Sequence, residues 1–276
     1  MKCAWKELLG ILPQPIRSEA DKRCRDTLQE VRLRSGKPTE LVTSDGSIWL
    51  RQPVTDGDIQ FTVNMASRYS PWAAATAAKG YITAPGGHRI GLCGETVVNG
   101  GQVQSIGTVT SLNIRVARDF PGIADKIPKS GNILIIGPPG SGKTTMLRDL
   151  ARQLAREKTV TVVDERGELF PVGFETGPRM DVLTGCPKAE GIDIALRAMG
   201  PDVIAVDEIT AAADCDALQS AGWCGVGLLA TAHAACPADL YSRKIYRPLT
   251  ASGLFDTLLV LRRDKSWRLE RQVAPC

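Results

Sequence analysis

The stretch GPPGSGKTT at residues 137–145 constrains this chain more than any other. It fits the spacing G-x-x-x-x-G-K-[ST] at Gly137, Gly142, Lys143 and Thr144. The apolar run ILII precedes it. A segment with Met146, Leu147, Leu150, Ala151 and Leu154 on one helical stripe follows it. Strand, glycine turn and helix in this order make a phosphate cradle. Its residues are Gly137, Pro138, Pro139, Gly140, Ser141, Gly142, Lys143, Thr144 and Thr145. The glycines let backbone N–H groups turn toward phosphate oxygens, and the helix N-terminus adds its dipole. Lys143 is expected to reach the β and γ phosphates, and Thr144 to offer its hydroxyl to Mg²⁺. ATP and Mg²⁺ are therefore the expected ligand and cofactor.

A second apolar run, PDVIAVDE at residues 201–208, ends in two acids. Asp207 is the expected holder of the Mg²⁺ shell. Glu208 is the better candidate to polarise an attacking water, which needs a carboxylate about 3 Å away. The competing reading makes both acids solvated loop residues. Two further runs end in polar groups: VTVVDERGEL delivers Asp164 and Glu165, and LLATAHA delivers Thr231 and His233. His233 is either a plain loop histidine or a sensor that hydrogen-bonds the γ phosphate. In a parallel sheet all strand C-termini share one edge, where ligands bind. Four segments would then bring Lys143, Glu165, Asp207, Glu208 and His233 to one crevice. The candidate catalytic residues are Glu208, Lys143, His233 and Glu165; the candidate metal ligands are Thr144 and Asp207.

Short apolar runs at residues 133–136, 160–163, 203–206, 228–230 and 258–261 alternate with helix-period segments. This predicts a mainly parallel α/β sheet with strands buried on both faces. The 160–163 strand, placed between the P-loop strand and the Asp207 strand, and Glu208 directly after Asp207 suit an NTPase with a glutamate-activated water. They argue against a small-molecule kinase. Upstream the pattern is mixed. EVRLRSG alternates Val31 and Leu33 against Arg32 and Arg34, a half-buried strand with a basic outer face. Residues 73–78 suit a short helix, and APGGHRIGLCGE and SLNIRVAR read as short strands around turn glycines. Two prolines and two glycines mark DFPGIADKIPKSG as a linker. The expected division is an α+β N-terminal domain over 1–118, a hinge over 119–131 and a P-loop domain over 132–276.

Composition bounds the rest. Of 276 residues, 34 are Lys or Arg and 30 are Asp or Glu, a formal charge of +4 that does not argue for an acidic partner. No stretch approaches the roughly 20 apolar residues of a membrane helix. The first dozen residues do not read as a secretory signal. None of the eight cysteines forms a C-x-x-C pair. The grouping Cys224, His233, Cys236 has irregular spacing for zinc, and buried thiols in a reducing cytosol are the plainer reading. Arg89, Arg115, Arg118, Arg166, Arg179 and Arg197 are candidates to neutralise a transferring phosphoryl group.

EVRLRSGKP, APGGHRIGLCGE, GPPGSGKTT, VVDERGEL, GPRMDVLTGCPKAEG, LRAMGPDVIAVDEI and TAHA, in that order, resemble the stage III sporulation protein AA family. That family groups with the secretion and type IV pilus ATPases of RecA/AAA+-like fold. The resemblance implies an ATPase that powers or assembles the channel between mother cell and forespore. It implies a cytoplasmic protein of the mother cell, peripheral at the membrane, with membrane partners and a hexameric ring. It likens Asp164 and Glu165 to an acidic box, and residues 231–234 to a histidine box. Secretion ATPases commonly end the Mg²⁺ strand in Gly-Glu, whereas this chain has Asp207-Glu208. Two alternatives stand beside the motor: a nucleotide-switched scaffold with little turnover, and a nucleic-acid translocase. The second has little support, since the basic strand lacks interleaved aromatics.

Overall fold

In the computed structural model, residues 3–67, 77, 80–171 and 174–271 are described. The chain divides into two compact units, Met1–Asp119 with Pro171–Phe174, and Phe120–Phe170 with Glu175–Cys276. The helix expected over 73–78 lies outside the described residues except Ala77, which is helical.

The first unit holds α1 (Trp5–Ile11), α2 (Gln14–Arg23), β1 (Leu28–Arg34), β2 (Pro38–Thr43), β3 (Gly46–Pro53) and α3 (Asp56–Ser67). It continues with β4 (Tyr81–Thr83), β5 (Arg89–Asn99) and β6 (Gln102–Arg115). The six strands form an antiparallel sheet in the order β3-β2-β1-β6-β5-β4. Period-2 alternation decides β1: Val31 and Leu33 are fully buried. Arg32 and Arg34 take the other face, as expected. That face is not a free cation row. Arg32 pairs with Glu30 at 2.8 Å, and Arg34 pairs with Glu40 of β2 at 3.2 Å. His88 is buried, with Nε2 3.0 Å from the Ala4 carbonyl and Nδ1 accepting from the Ala117 N–H. Burial pushes its pKa down, so it packs as a neutral ring.

The second unit is built on β7 (Ile133–Ile136), β8 (Val160–Asp164), β9 (Met180–Thr184), β10 (Val203–Val206), β11 (Gly227–Ala232), β12 (Thr257–Leu261) and β13 (Trp267–Arg271). The sheet order is β13-β12-β7-β11-β10-β8-β9. All pairings are parallel except β12 with β13. Each of the five predicted strands is present. The strand that stands between the P-loop strand β7 and the Asp207 strand β10 is β11, not the 160–163 strand. That strand, β8, pairs on the far side of β10. Order along the chain is not order in the sheet, because the crossover helices skip positions.

Both faces of this sheet are covered. Ile133 and Ile135 enter one core with Met146, Leu147, Leu150, Ala151 and Leu154 of α4 (Lys143–Leu154). Leu134 and Ile136 enter the other, with Ile192 of α5 (Lys188–Ile194) and Cys215, Leu218 and Ala221 of α6 (Ala212–Trp223). A single π-helical turn (Ala195–Met199) follows α5, and α7 (Pro237–Ser242) and α8 (Arg247–Ala251) follow β11.

The stretch expected as a hinge packs with the second unit. Ala124 and Ile127 are buried in the α4 core. The fully buried Asp149 of α4 accepts from the Ala124 N–H at 2.9 Å, from Arg152 at 2.9 Å and from Gln153 at 2.8 Å. Its prolines and glycines shape turns, while its two apolar residues supply a core face that turn composition conceals. Asp149→Ala removes the buried acceptor that the Ala124 N–H, Arg152 and Gln153 share, so we expect a loss of about 2–4 kcal/mol in urea unfolding. A loss below about 0.5 kcal/mol would show that this buried network contributes nothing.

Candidate functional site

The β7–α4 turn carries the phosphate loop. Gly137 is obligatory for space: a Cβ there would lie 2.6 Å from Ser141 Oγ and 2.8 Å from the Leu261 carbonyl. Gly140 and Gly142 take φ of +72° and +100°, left-handed values that favour glycine. Gly142 then caps α4, whose first-turn N–H groups have no partner within the helix. Lys143 Nζ donates to the carbonyls of Gly137 at 2.9 Å and Pro138 at 3.3 Å. Burial lowers its pKa, opposed by the charges of Glu208 and Asp207. Thr144 and Thr145 are half-buried in the first helical turn, and Pro139 is exposed. Ser141 Oγ is buried inside the loop with no protein partner.

The strand ends behave differently from one another. Asp207 Oδ1 accepts from Thr231 Oγ1 at 3.2 Å. Burial pushes the Asp207 carboxyl up to about 6; the nearby charges of Asp164 and Glu168 add to this, and the Thr231 bond opposes it. Glu208 Oε1 lies 3.1 Å from His233 Nδ1, with both side chains about one-third exposed. The structure thus brings Lys143, Asp207, Glu208, Thr231 and His233 together at one sheet edge. Asp164 is buried and spent on its own loop, accepting N–H bonds from Glu168, Leu169 and Phe170 at 2.8–3.2 Å. Glu165 is engaged elsewhere, paired with the buried Lys188 at the start of α5.

Lys188 and Tyr246 escaped the sequence reading. Lys188 is hidden in GCPKAEG as an ordinary first-turn lysine. Tyr246, almost fully buried, accepts from the His233 N–H at 3.1 Å and donates to the Ile209 carbonyl at 3.3 Å. It ties the loop after β10 to the loop after β11. No local pattern announces it.

Five of the six candidate arginines have other company. Arg89 stacks on Tyr81 at 4.3 Å, Arg115 lies 3.6 Å from Glu30, and Arg118 donates to the Leu28 carbonyl at 2.8 Å. Arg179 bonds the Glu157 carbonyl, Arg197 pairs with Asp193 at 3.0 Å, and Arg166 is exposed. The cysteines are not uniformly buried. Cys24 and Cys215 are, whereas Cys93, Cys224 and Cys236 are exposed, and Cys276 lies outside the described residues. His233 turns to Glu208 rather than to Cys224 and Cys236.

The profile of the family described as "Sporulation stage III, protein AA" matches residues 5–269. The chain belongs to that family. It is 36% identical to the stage III sporulation protein AA of Bacillus subtilis (strain 168), over 94% of this chain and 91% of that protein. It is 31% identical to protein SEEDLING PLASTID DEVELOPMENT 1 of Arabidopsis thaliana, over 82% of this chain and only 33% of that protein. In fold it resembles the Legionella pneumophila ATPase DotB, with TM-score 0.59 and 17% identity over 93% of this chain and 79% of that one. It also resembles the pilus retraction motor PilT with bound ADP, with TM-score 0.61 and 14% identity over 94% and 82%. The sporulation family member therefore has the fold of a secretion-type P-loop ATPase. Among the described residues, no helix is long and apolar enough to cross a membrane.

Two substitutions test the geometry. The Asp207 carboxyl sits at about 6 when folded against 3.8 ordinarily, so folding favours its proton. That contribution is complete below pH 3.8 and is lost as pH rises through about 6. Ionised Asp207 thus costs the nucleotide-free protein up to about 3 kcal/mol at pH 7.5. Asp207→Asn should melt higher than wild type at pH 7.5, with the gap narrowing at pH 5. A gap independent of pH would remove the titration argument. Tyr246→Phe should cost about 1–2 kcal/mol by leaving the His233 N–H unpaired, and an unchanged melting temperature would show the hydroxyl bridge to be idle.

Proposed function

We propose that this chain is an ATP-hydrolysing motor of sporulation that energises or assembles the mother cell–forespore channel. One observation carries the reading. The Glu208 carboxylate, aligned by His233, stands beside Lys143 and Asp207 at the mouth of a glycine-lined phosphate loop. The loop suits a triphosphate on its own geometry. Gly137 has no room for a side chain, Ser141 Oγ is a buried polar atom without a protein partner, and the α4 N-terminus opens onto the loop.

Residues 137–145 would grip the phosphates, with the Lys143 ammonium leaving the Gly137 and Pro138 carbonyls for them. Thr144 and Asp207 would hold Mg²⁺, which neutralises phosphate charge when bound. Asp207 must be ionised to do so, and Thr231 keeps its carboxylate oriented by donating to it. Glu208 takes the proton of the attacking water as general base. The His233 ring beside it links that carboxylate to β11 and serves as the γ-phosphate sensor. Glu165, held by Lys188, fits a supporting position better than a direct catalytic one.

The likeness of fold to a pilus retraction motor supports a motor, and the family resemblance carries the expectation of a ring of copies, a hexamer. The sporulation relative supports a role in sporulation, and the motor reading carries the expectation of action at the cytoplasmic side of the mother-cell membrane, with membrane proteins of the channel as partners. Pairing of Arg32 and Arg34 with Glu30 and Glu40 leaves the nucleic-acid alternative without its row of cations.

Purified protein should release phosphate from ATP. Lys143→Ala should lower the rate by about 100-fold or more, and Glu208→Gln should bind ATP but turn it over at least about 100-fold more slowly. Wild-type turnover in both variants would overturn the motor. ATP binding with no turnover in the wild type would favour the switched scaffold.

A further inference from the structure

Strand β12 pairs in parallel with β7, with Val260 opposite Ile136, so the chain leaves β12 at the first glycine of the phosphate loop. The close approach of the Leu261 carbonyl to Gly137 marks the same junction. The turn between β12 and β13 follows, and carries Arg262, Arg263, Asp264 and Lys265.

This turn is held in one shape. Asp264 Oδ1 accepts from the Ser266 N–H at 2.9 Å and from Ser266 Oγ at 2.6 Å, and the Arg262 N–H donates to the Ser266 carbonyl at 3.0 Å. Lys265 takes φ of +69°, the one left-handed residue other than glycine among the described residues. Its ammonium donates to the carbonyl of Gly140, in the middle of the phosphate loop. The acid of the turn is thus committed to Ser266, while one of its cations is delivered 125 residues back along the chain.

Lys143 and Lys265 share one situation. Each holds a loop carbonyl through an ammonium, and a neutral carbonyl is a weak partner for a full charge compared with a phosphate oxygen. We infer that Lys265 is a second phosphate-binding lysine, supplied by the β12–β13 turn to the polyphosphate tail of a nucleoside triphosphate. The inference rests on reading residues 137–145 as a triphosphate site. Lys265 acts on affinity, and Lys143 retains the catalytic position.

The test is titration of the full-length protein with ATP at two salt concentrations. Lys265→Met should bind ATP about tenfold or more weakly than wild type, with a shallower salt dependence, and Lys265→Arg should restore most of the affinity. Lys265→Gly relaxes the left-handed backbone. It should melt at or above the wild-type temperature yet lose ATP affinity as Lys265→Met does, which separates the ammonium from the fold. Equal ATP affinity in wild type and Lys265→Met, with Lys143→Ala impaired, overturns this inference alone. A wild type that does not bind ATP overturns the triphosphate reading and this inference together.

Discussion

Burial of β7 on both faces governs the placement of every functional group. Its four residues alternate between two cores, so the strand can neither slip by one residue nor drift toward an edge. β11 and β12 flank it in parallel, and β10 lies beyond β11. Parallel pairing in register then stops these strands at one level. The phosphate loop, the Asp207–Glu208 step, His233 and the β12–β13 turn all emerge there. The chemistry inherits its positions from apolar packing.

The charges that gather at this edge are balanced unequally. Asp164 is satisfied by three backbone donors and Glu165 by Lys188. Asp207 has one side-chain donor and sits among other acids, so burial and repulsion hold it near 6. Lys143 is the cation beside it, itself partly desolvated. A site with surplus negative charge on its strand ends and an ammonium on the loop suits a ligand that brings phosphates and a divalent cation together. Unequal satisfaction separates structural acids from those available for chemistry.

Much of this was legible before any coordinates. The phosphate loop announces itself by spacing, and the α4 stripe by period. The five central strands read as apolar runs because both their faces are covered, with Thr161 and Thr231 as buried polar exceptions. β9 went unseen, since MDVLT is half-exposed and interrupted by Asp181. The acids at the strand ends were identifiable, but their division of labour was not. Nothing local tells that Asp164 caps its own loop while Asp207 meets Thr231. Tyr246, Lys188 and Lys265 were silent for one reason: each acts on a partner brought near only by the sheet. The basic face of β1 misled in the same way, since Glu40 arrives from the neighbouring strand.

The first unit includes Pro171–Phe174, a short piece flanked on both sides by residues of the second. A Cβ on Gly87 would collide with the Pro171 ring at 2.2 Å, so Pro171 is fitted closely against the short 3₁₀ turn at Pro85–Gly87. The polypeptide therefore passes from one unit to the other three times. Severing the backbone after residue 119 would leave Pro171 on the C-terminal fragment, so the N-terminal fragment alone would lack a proline it is moulded around.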